Sequence, residues 1–172
     1  MTRVEIIDGK PVIRVPERRR STFDQQMKSG NLIEVGDTAT YRRTVTEADV
    51  ALFSGATGDV NPYHFDEIYA SRGMFKKRIA HGMLVTGYIS TVLGTIFPGP
   101  GTIYLSQTLE FRAPVFIGDT ITAVVEVLAI KETKPILTLR TDCINQDGKT
   151  VVEGRAVVLF EYVPMEPETQ GA

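Results

Sequence analysis

The segment Gly58-Asp59-Val60-Asn61-Pro62-Tyr63-His64-Phe65-Asp66 sets a carboxylate and an imidazole five residues apart, and Ile79-Ala80-His81-Gly82 follows shortly after. Gly58 and Pro62 are expected to hold the first stretch out of regular helix. Asp59 and His64 could then grip one water molecule together, one taking a proton from the attacking oxygen and the other returning a proton to a neighbouring atom. His81-Gly82 opens a long apolar run, where the first turn of a helix leaves backbone N–H donors free and carries partial positive charge. A glycine there lets a carbonyl approach the backbone closely. An acid–base pair beside free amide donors suits chemistry at a thioester carbonyl, because enolate-like charge on the oxygen can be stabilised as the β-carbon is attacked.

Each of these residues also has a plainer use. Gly-Asp-x-Asn-Pro makes a good polar surface turn by itself, with Asn61 bonding side chain to backbone. His81 serves equally well as a structural residue holding a carbonyl near the helix start. Ser90 lies eight residues beyond Gly82, a little over two helical turns, and projects on roughly the same face. It could bond substrate or steady a loop, or return its hydroxyl to its own helix.

Other chemistries are poorly served. There is no Gly-x-Ser-x-Gly elbow, no phosphate-binding P-loop and no Gly-x-Gly-x-x-Gly. Two histidines and one cysteine give neither Cys-x-x-Cys nor His-Glu-x-x-His zinc spacing. Cys143, in an alternating stretch, reads as a core thiol.

Elements to position the site follow from the pattern. Thr38 to Val45 alternates as a strand. Thr46-Glu47-Ala48-Asp49 fits a capping box, opening a short helix that Gly55 and Gly58 end. A loop Asp59–Asp66, a short helix from Asp66 to Ser71 and a long apolar helix from Gly82 to Phe97 come next, closed by Pro98-Gly99-Pro100-Gly101. The period then changes to two. Ile103 to Arg112, Thr120 to Ile130, Ile136 to Asn145 and Val151 to Tyr162 read as strands joined by short turns, Asp147-Gly148 among them. Consecutive strands with short turns imply an antiparallel sheet, and one apolar helix beside it is best buried by a sheet that curls around it. The fold class is α+β.

With 172 residues, 42% hydrophobic and 23% charged, the chain is long enough to bury a real core and is not expected to be disordered. A net charge of -2 leaves no footprint for nucleic acid. A single cysteine excludes an internal disulfide framework, so a reducing cytoplasm is expected. Met1 to Lys10 carries Arg3, Glu5 and Asp8, and no secretory signal is expected there. Met83 to Phe97 is uncharged but too short and too rich in Thr, Ser and Gly to span a membrane, so no membrane partner is expected. The first thirty residues hold seven basic against four acidic side chains, including Arg18-Arg19-Arg20, which a solvated surface explains. Their apolar pieces, Val4-Ile6-Ile7 and Val12-Ile13-Val15, suggest an arm that pairs or packs, on this chain or a partner. The expected division is an arm over 1–33, a domain over 34–163 and a tail over 164–172.

Phe53-Ser54-Gly55-Ala56-Thr57-Gly58-Asp59-Val60-Asn61-Pro62-Tyr63-His64-Phe65-Asp66 resembles the hydratase motif of the MaoC-like hot dog proteins, in particular the (R)-specific enoyl-CoA hydratases. The similarity continues through Gly73-Met74-Phe75, Ile79 to Leu84, Ser90, Gly101 to Phe111 and Pro114 to Asp119, covering about residues 34 to 162. The resemblance implies a hot dog fold, an antiparallel sheet wrapped around a long central helix. It implies syn addition of water to a trans-2-enoyl-CoA, giving an (R)-3-hydroxyacyl-CoA. By position, Asp59 and His64 would activate the water, the Gly82 amide would bind the thioester oxygen, and Ser90, Asn61 and His81 would support the site. It further implies a homodimer or dimer of dimers and no metal or organic cofactor, the CoA thioester being substrate. Neighbouring possibilities are a dehydratase of carrier-protein-bound acyl chains, a hot dog thioesterase and a non-catalytic hot dog subunit. Lys76-Lys77-Arg78 could face CoA phosphates or a carrier protein, or be a solvated turn. The acyl group could be bounded by Phe65, Ile68, Met83 or Leu84.

Overall fold

The computed structural model describes residues 2–15, 25–26 and 32–161. Arg18-Arg19-Arg20, Tyr162 and the expected tail 164–172 lie outside the described residues. Strands β1 (Val4–Ile7) and β2 (Lys10–Arg14) form an antiparallel hairpin turning at Asp8-Gly9, both at positive φ, and β2 also pairs with β4 (Leu32–Ile33). The arm therefore pairs within this chain. Val12, Ile13, Val15 and Ile33 are buried, and Ile13, Val15 and Ile33 join the same core as the rest of the molecule.

The main sheet has six antiparallel strands in the order β3-β5-β7-β8-β9-β6, with β3 Gln25–Gln26, β5 Thr38–Thr44, β6 Thr102–Phe111, β7 Thr120–Ile130, β8 Ile136–Ile144 and β9 Thr150–Phe160. β7 alternates buried and half-buried residues, placing Ile121, Ala123, Val125 and Val127 on the inner face. Register shifts at Tyr104/Ser106, Val127/Ala129 and Cys143/Ile144 are bulges of the kind that bend and twist strands. The sheet wraps α4 (Gly82–Thr91), whose Val85, Tyr88 and Ile89 enter the core, and the wrapped-helix arrangement is the hot dog fold.

Helix α1 (Glu47–Thr57) starts at the expected capping box: the Thr46 hydroxyl accepts from the Asp49 N–H and the Asp49 carboxylate accepts from the Thr46 N–H. Gly58 alone ends it, at φ 79°, with its N–H on the Ser54 carbonyl at 2.7 Å. Gly55 is inside the helix, so its expected role as a stop is corrected: an isolated glycine weakens a helix without ending it when the next turn still bonds. The segment expected as an irregular loop contains a one-turn helix, α2 (Pro62–Phe65). Proline breaks a helix interior but suits its first turn, where its missing N–H is not needed. A further short helix, α3 (Glu67–Arg72), follows with Asp66 as its cap. The apolar helix expected to run to Phe97 is α-helical only to Thr91 and continues as a wider π-type turn over Val92–Ile96.

Candidate active site

Asp59 is the first residue beyond the left-handed cap of α1, and its carboxylate accepts from the Asn61 N–H at 3.2 Å. Asn61 in turn caps α2, its side-chain oxygen accepting from the Tyr63 N–H at 3.0 Å. Asn61 thus supports the turn and orients its neighbours. Tyr63 packs edge-on against Tyr69 and Phe75 and lies over Gly73, where an added Cβ would meet its hydroxyl at 2.2 Å. That anchorage leaves His64, the next residue, directed inward and 8% exposed. His64 Nδ1 donates to the Ile79 carbonyl at 2.7 Å, so Nε2 is the nitrogen free to accept a proton.

Ile79 is itself held by an N–H bond to the Tyr63 carbonyl at 3.1 Å and by a bridge to Phe116, and the Ala80 N–H bonds the Val115 carbonyl at 2.8 Å. Extended backbone therefore delivers His81 and Gly82 to the start of α4. His81 is 2% exposed and packed between rings, at 3.7 Å from His64 and 4.8 Å from Phe53, centroid to centroid. Its Nε2 lies 3.1 Å from the Asp59 carbonyl, which can only accept, so Nε2 carries the proton. The Ser54 hydroxyl donates to the same carbonyl at 2.8 Å and sits 3.2 Å from Nε2. His81 Nδ1 is buried with no partner. Burial is the largest influence holding the His81 pKa below the ordinary imidazole value, and neighbouring His64 adds to it, against the opposing pull of the Asp59 carbonyl and carboxylate. His81 is thus a neutral imidazole that pins Asp59 by its backbone.

One polar atom from each of Asp59, His64 and His81 lies within 4.8 Å of the others. A water making two bonds of about 2.8 Å at a tetrahedral angle spans about 4.6 Å, so one water can touch both Asp59 and His64. The His64 and His81 rings are tilted by 34° to one another, and the Ile79 carbonyl holds His64 Nδ1.

His81 caps α4 without a side-chain bond, leaving first-turn amides unclaimed by a cap. Gly82 abuts Phe111: a Cβ would meet the ring at 2.6 Å. Asp59, His64, His81, Gly82 and Phe111 line one cleft of about 920 Å³. Ser90 does not line it. It sits on the outward face of α4, beside a second cavity of about 380 Å³. Of the four residues considered for the acyl group, only Met83 borders the cleft; Leu84 packs against the core, and Ile68 is 68% exposed.

Two supports were not legible in advance. Ser54 meets His81 across 27 residues, and no local pattern announces such a contact. Arg78, seen only as part of a basic run, forms a fork with Glu47, bonds Glu67 at 3.2 Å and reaches the His64 carbonyl at 3.4 Å, tying α1, α2 and α3 together. Cys143 is buried, and burial pushes its thiol up to about 12, which removes it as a nucleophile.

Fold and site together define a hot dog protein with a carboxylate and two imidazoles gathered in one cleft beside the start of its central helix. The chain belongs to the MaoC-like domain family, whose sequence model matches residues 30–145. It is 50% identical over 127 residues to an (R)-specific enoyl-CoA hydratase of Rhodospirillum rubrum, covering 74% of this chain and 88% of that one. It is 38% identical over 147 residues to a mitochondrial 3-hydroxyacyl-[acyl-carrier-protein] dehydratase of Solanum lycopersicum, covering 84% of this chain and 88% of the relative. Among solved structures, the (R)-hydratase of Aeromonas caviae superposes with a TM-score of 0.73 at 44% identity, over 75% of this chain and 98% of its own.

Proposed function

We propose that the protein is an (R)-specific enoyl-CoA hydratase, a hydro-lyase that adds water reversibly to a trans-2-enoyl-CoA. The observation that carries this reading is the Asp59–His64 separation, which admits one shared water, beside the open first turn of α4. With the thioester oxygen on the Gly82 N–H, the carbonyl draws charge away from the β-carbon. The water lies on Asp59 and His64 Nε2; as its oxygen bonds the β-carbon, the pair accepts one water proton and returns it to the α-carbon on the same face, while the new hydroxyl keeps the other. Syn addition gives the (R)-3-hydroxyacyl-CoA. No metal or organic cofactor enters this scheme. Asn61, His81 and Ser54 position the acid–base turn, and Ser90 acts away from the water.

The catalytic unit is residues 34–163, working in the cytoplasm as a homodimer or a dimer of dimers. Edge strand β6 supports that assembly: Ile103, Tyr104 and Leu105 are 46%, 40% and 52% exposed, an apolar unpaired edge that a second copy would cover. Among the described residues no helix is long and apolar enough to cross a membrane. A second reading, dehydration of carrier-protein-bound chains, draws on the tomato relative. Hydration rates on crotonyl-CoA and on the crotonyl carrier-protein thioester separate the two. The CoA substrate is expected to be faster by at least about tenfold, a difference of about 1.4 kcal/mol in barrier. Turnover confined to the carrier-bound thioester would replace the first reading with the second.

A further inference from the structure

The basic run Lys76-Lys77-Arg78 is divided in its work. Arg78 is committed to Glu47 and Glu67 and ties the short helices together. Lys76 and Lys77 are exposed, and neither forms an ion pair among the described residues. Phe75 and Ile79 stand at the two ends of this stretch and both line the catalytic cleft, which places the two lysines on its rim. Both are fastened to Tyr63, Phe75 by a ring contact at 6.2 Å and Ile79 by its N–H on the Tyr63 carbonyl at 3.1 Å. The rim is therefore fixed relative to His64, the next residue along.

Two further observations set this pair apart. Lys76 is at φ 61°, a left-handed backbone that a lysine adopts at steric cost; among the described residues, Asp8 is the only other non-glycine at positive φ. Residues 76 and 77 thus occupy a tight turn that leaves both exposed between two side chains of the cleft wall. Charge is the second observation. Among the described residues lining the cleft, Arg112 is the one lysine or arginine, and Glu110 and Glu153 both bond its guanidinium. Its charge is already answered, so it attracts a further anion weakly. The whole chain carries a net charge of -2, so no overall field draws an anion in and any attraction must be local.

We propose that Lys76 and Lys77 hold the phosphates of the coenzyme A end of the substrate at the mouth of the cleft. This rests on the enoyl-CoA reading above and names the residues that recognise the carrier group, not the acyl group. With the thioester oxygen at Gly82, the pantetheine arm has to leave through the mouth, because its diphosphate cannot be buried among Phe53, Phe75 and Val115. Lysine suits that end: a compact charge on a flexible stem meets a phosphate from many directions. The contact is made equally in the ground state and the transition state, so it serves capture and not the chemical step.

The test is kcat/KM for crotonyl-CoA and for crotonyl-pantetheine, which carries no phosphate, with Kd for free CoA, in the wild type and the double variant Lys76→Asn, Lys77→Gln. Asparagine tolerates a left-handed backbone, so the turn at 76 should survive. The CoA-to-pantetheine ratio of kcat/KM is expected to fall about tenfold in the double variant, the order that two exposed charge pairs are worth, and Kd for CoA to rise by about as much. Raising salt from about 0.05 M to about 0.5 M should lower the wild-type ratio and leave that of the variant nearly flat. A ratio unchanged within about twofold in the folded variant would overturn the proposal, and so would an equal loss on both thioesters, which marks a turn that only shapes the site. A loss confined to the crotonyl carrier-protein thioester would overturn it too, since an acidic carrier surface would then be what the lysines meet. If the wild type hydrates neither thioester, the hydratase reading fails, and the Kd for free CoA decides the lysines alone: a rise in the variant upholds them, and no change overturns them.

Discussion

Asp59 and His64 are five residues apart but are held by different parts of the chain. Asp59 depends on its own backbone carbonyl, which receives bonds from His81 Nε2 at 3.1 Å and the Ser54 hydroxyl at 2.8 Å. His64 depends on Ile79, whose carbonyl fixes which ring nitrogen is free. Asp59 and His64 were readable because turn formers bracket them. Ser54 was not, because a serine inside a helix looks like any other until position 81 folds over it. The depressed His81 pKa carries a stability consequence whose sign is fixed. The folded state resists protonating His81 while the unfolded chain accepts a proton near pH 6.5, so this residue's stability is intact above about 6.5 and is lost as pH falls below it. Melting temperatures between pH 7.5 and 5.5 should drop in the wild type, and less steeply in His81→Gln. Equal slopes would show that His81 does not titrate as a buried neutral ring.

At the scale of elements, three short helices and one extended segment share the task of aiming the site. Their caps follow local rules, and the capping box at Thr46 and the Gly58 stop were visible in the residue order. Helix α2 was not: Pro62 reads as a breaker unless it falls in a first turn, which depends on Asn61 capping the turn. The π-type end of α4 also escaped, since Val92–Ile96 continues the same apolar pattern in a different winding. Arg78 is the fastening among these elements, a fork on Glu47 with further bonds to Glu67 and the His64 carbonyl. Both glutamates are more than half exposed, so each ion pair is worth about 0.2–1 kcal/mol. Arg78→Ala is expected to lower the melting temperature by about 2–4 °C and activity by about tenfold. Arg78→Lys should restore little, because a lysine cannot reproduce the fork. Full activity in both variants would show that the site is aimed without it.

For the whole molecule, the period change after Gly101 was enough to foresee four antiparallel strands and a sheet curled on one helix. The N-terminal hairpin joining that core was foreseen only as an arm of uncertain destination, because Val12, Ile13 and Val15 pattern equally well against a partner. The apolar edge of β6 belongs to the same scale. Leu105→Arg is expected to shift the molecule toward monomer in sedimentation and to reduce activity with it; an unchanged assembly would place the interface elsewhere. The central claim remains that Asp59 and His64 act on one water. Its most direct test is crotonyl-CoA hydration by Asp59→Asn and His64→Gln, each confirmed folded by circular dichroism. The account predicts that either change lowers kcat by about 10²–10⁴-fold, the usual contribution of a positioned acid or base, with the fold unaltered. Near-normal turnover in either variant would contradict it.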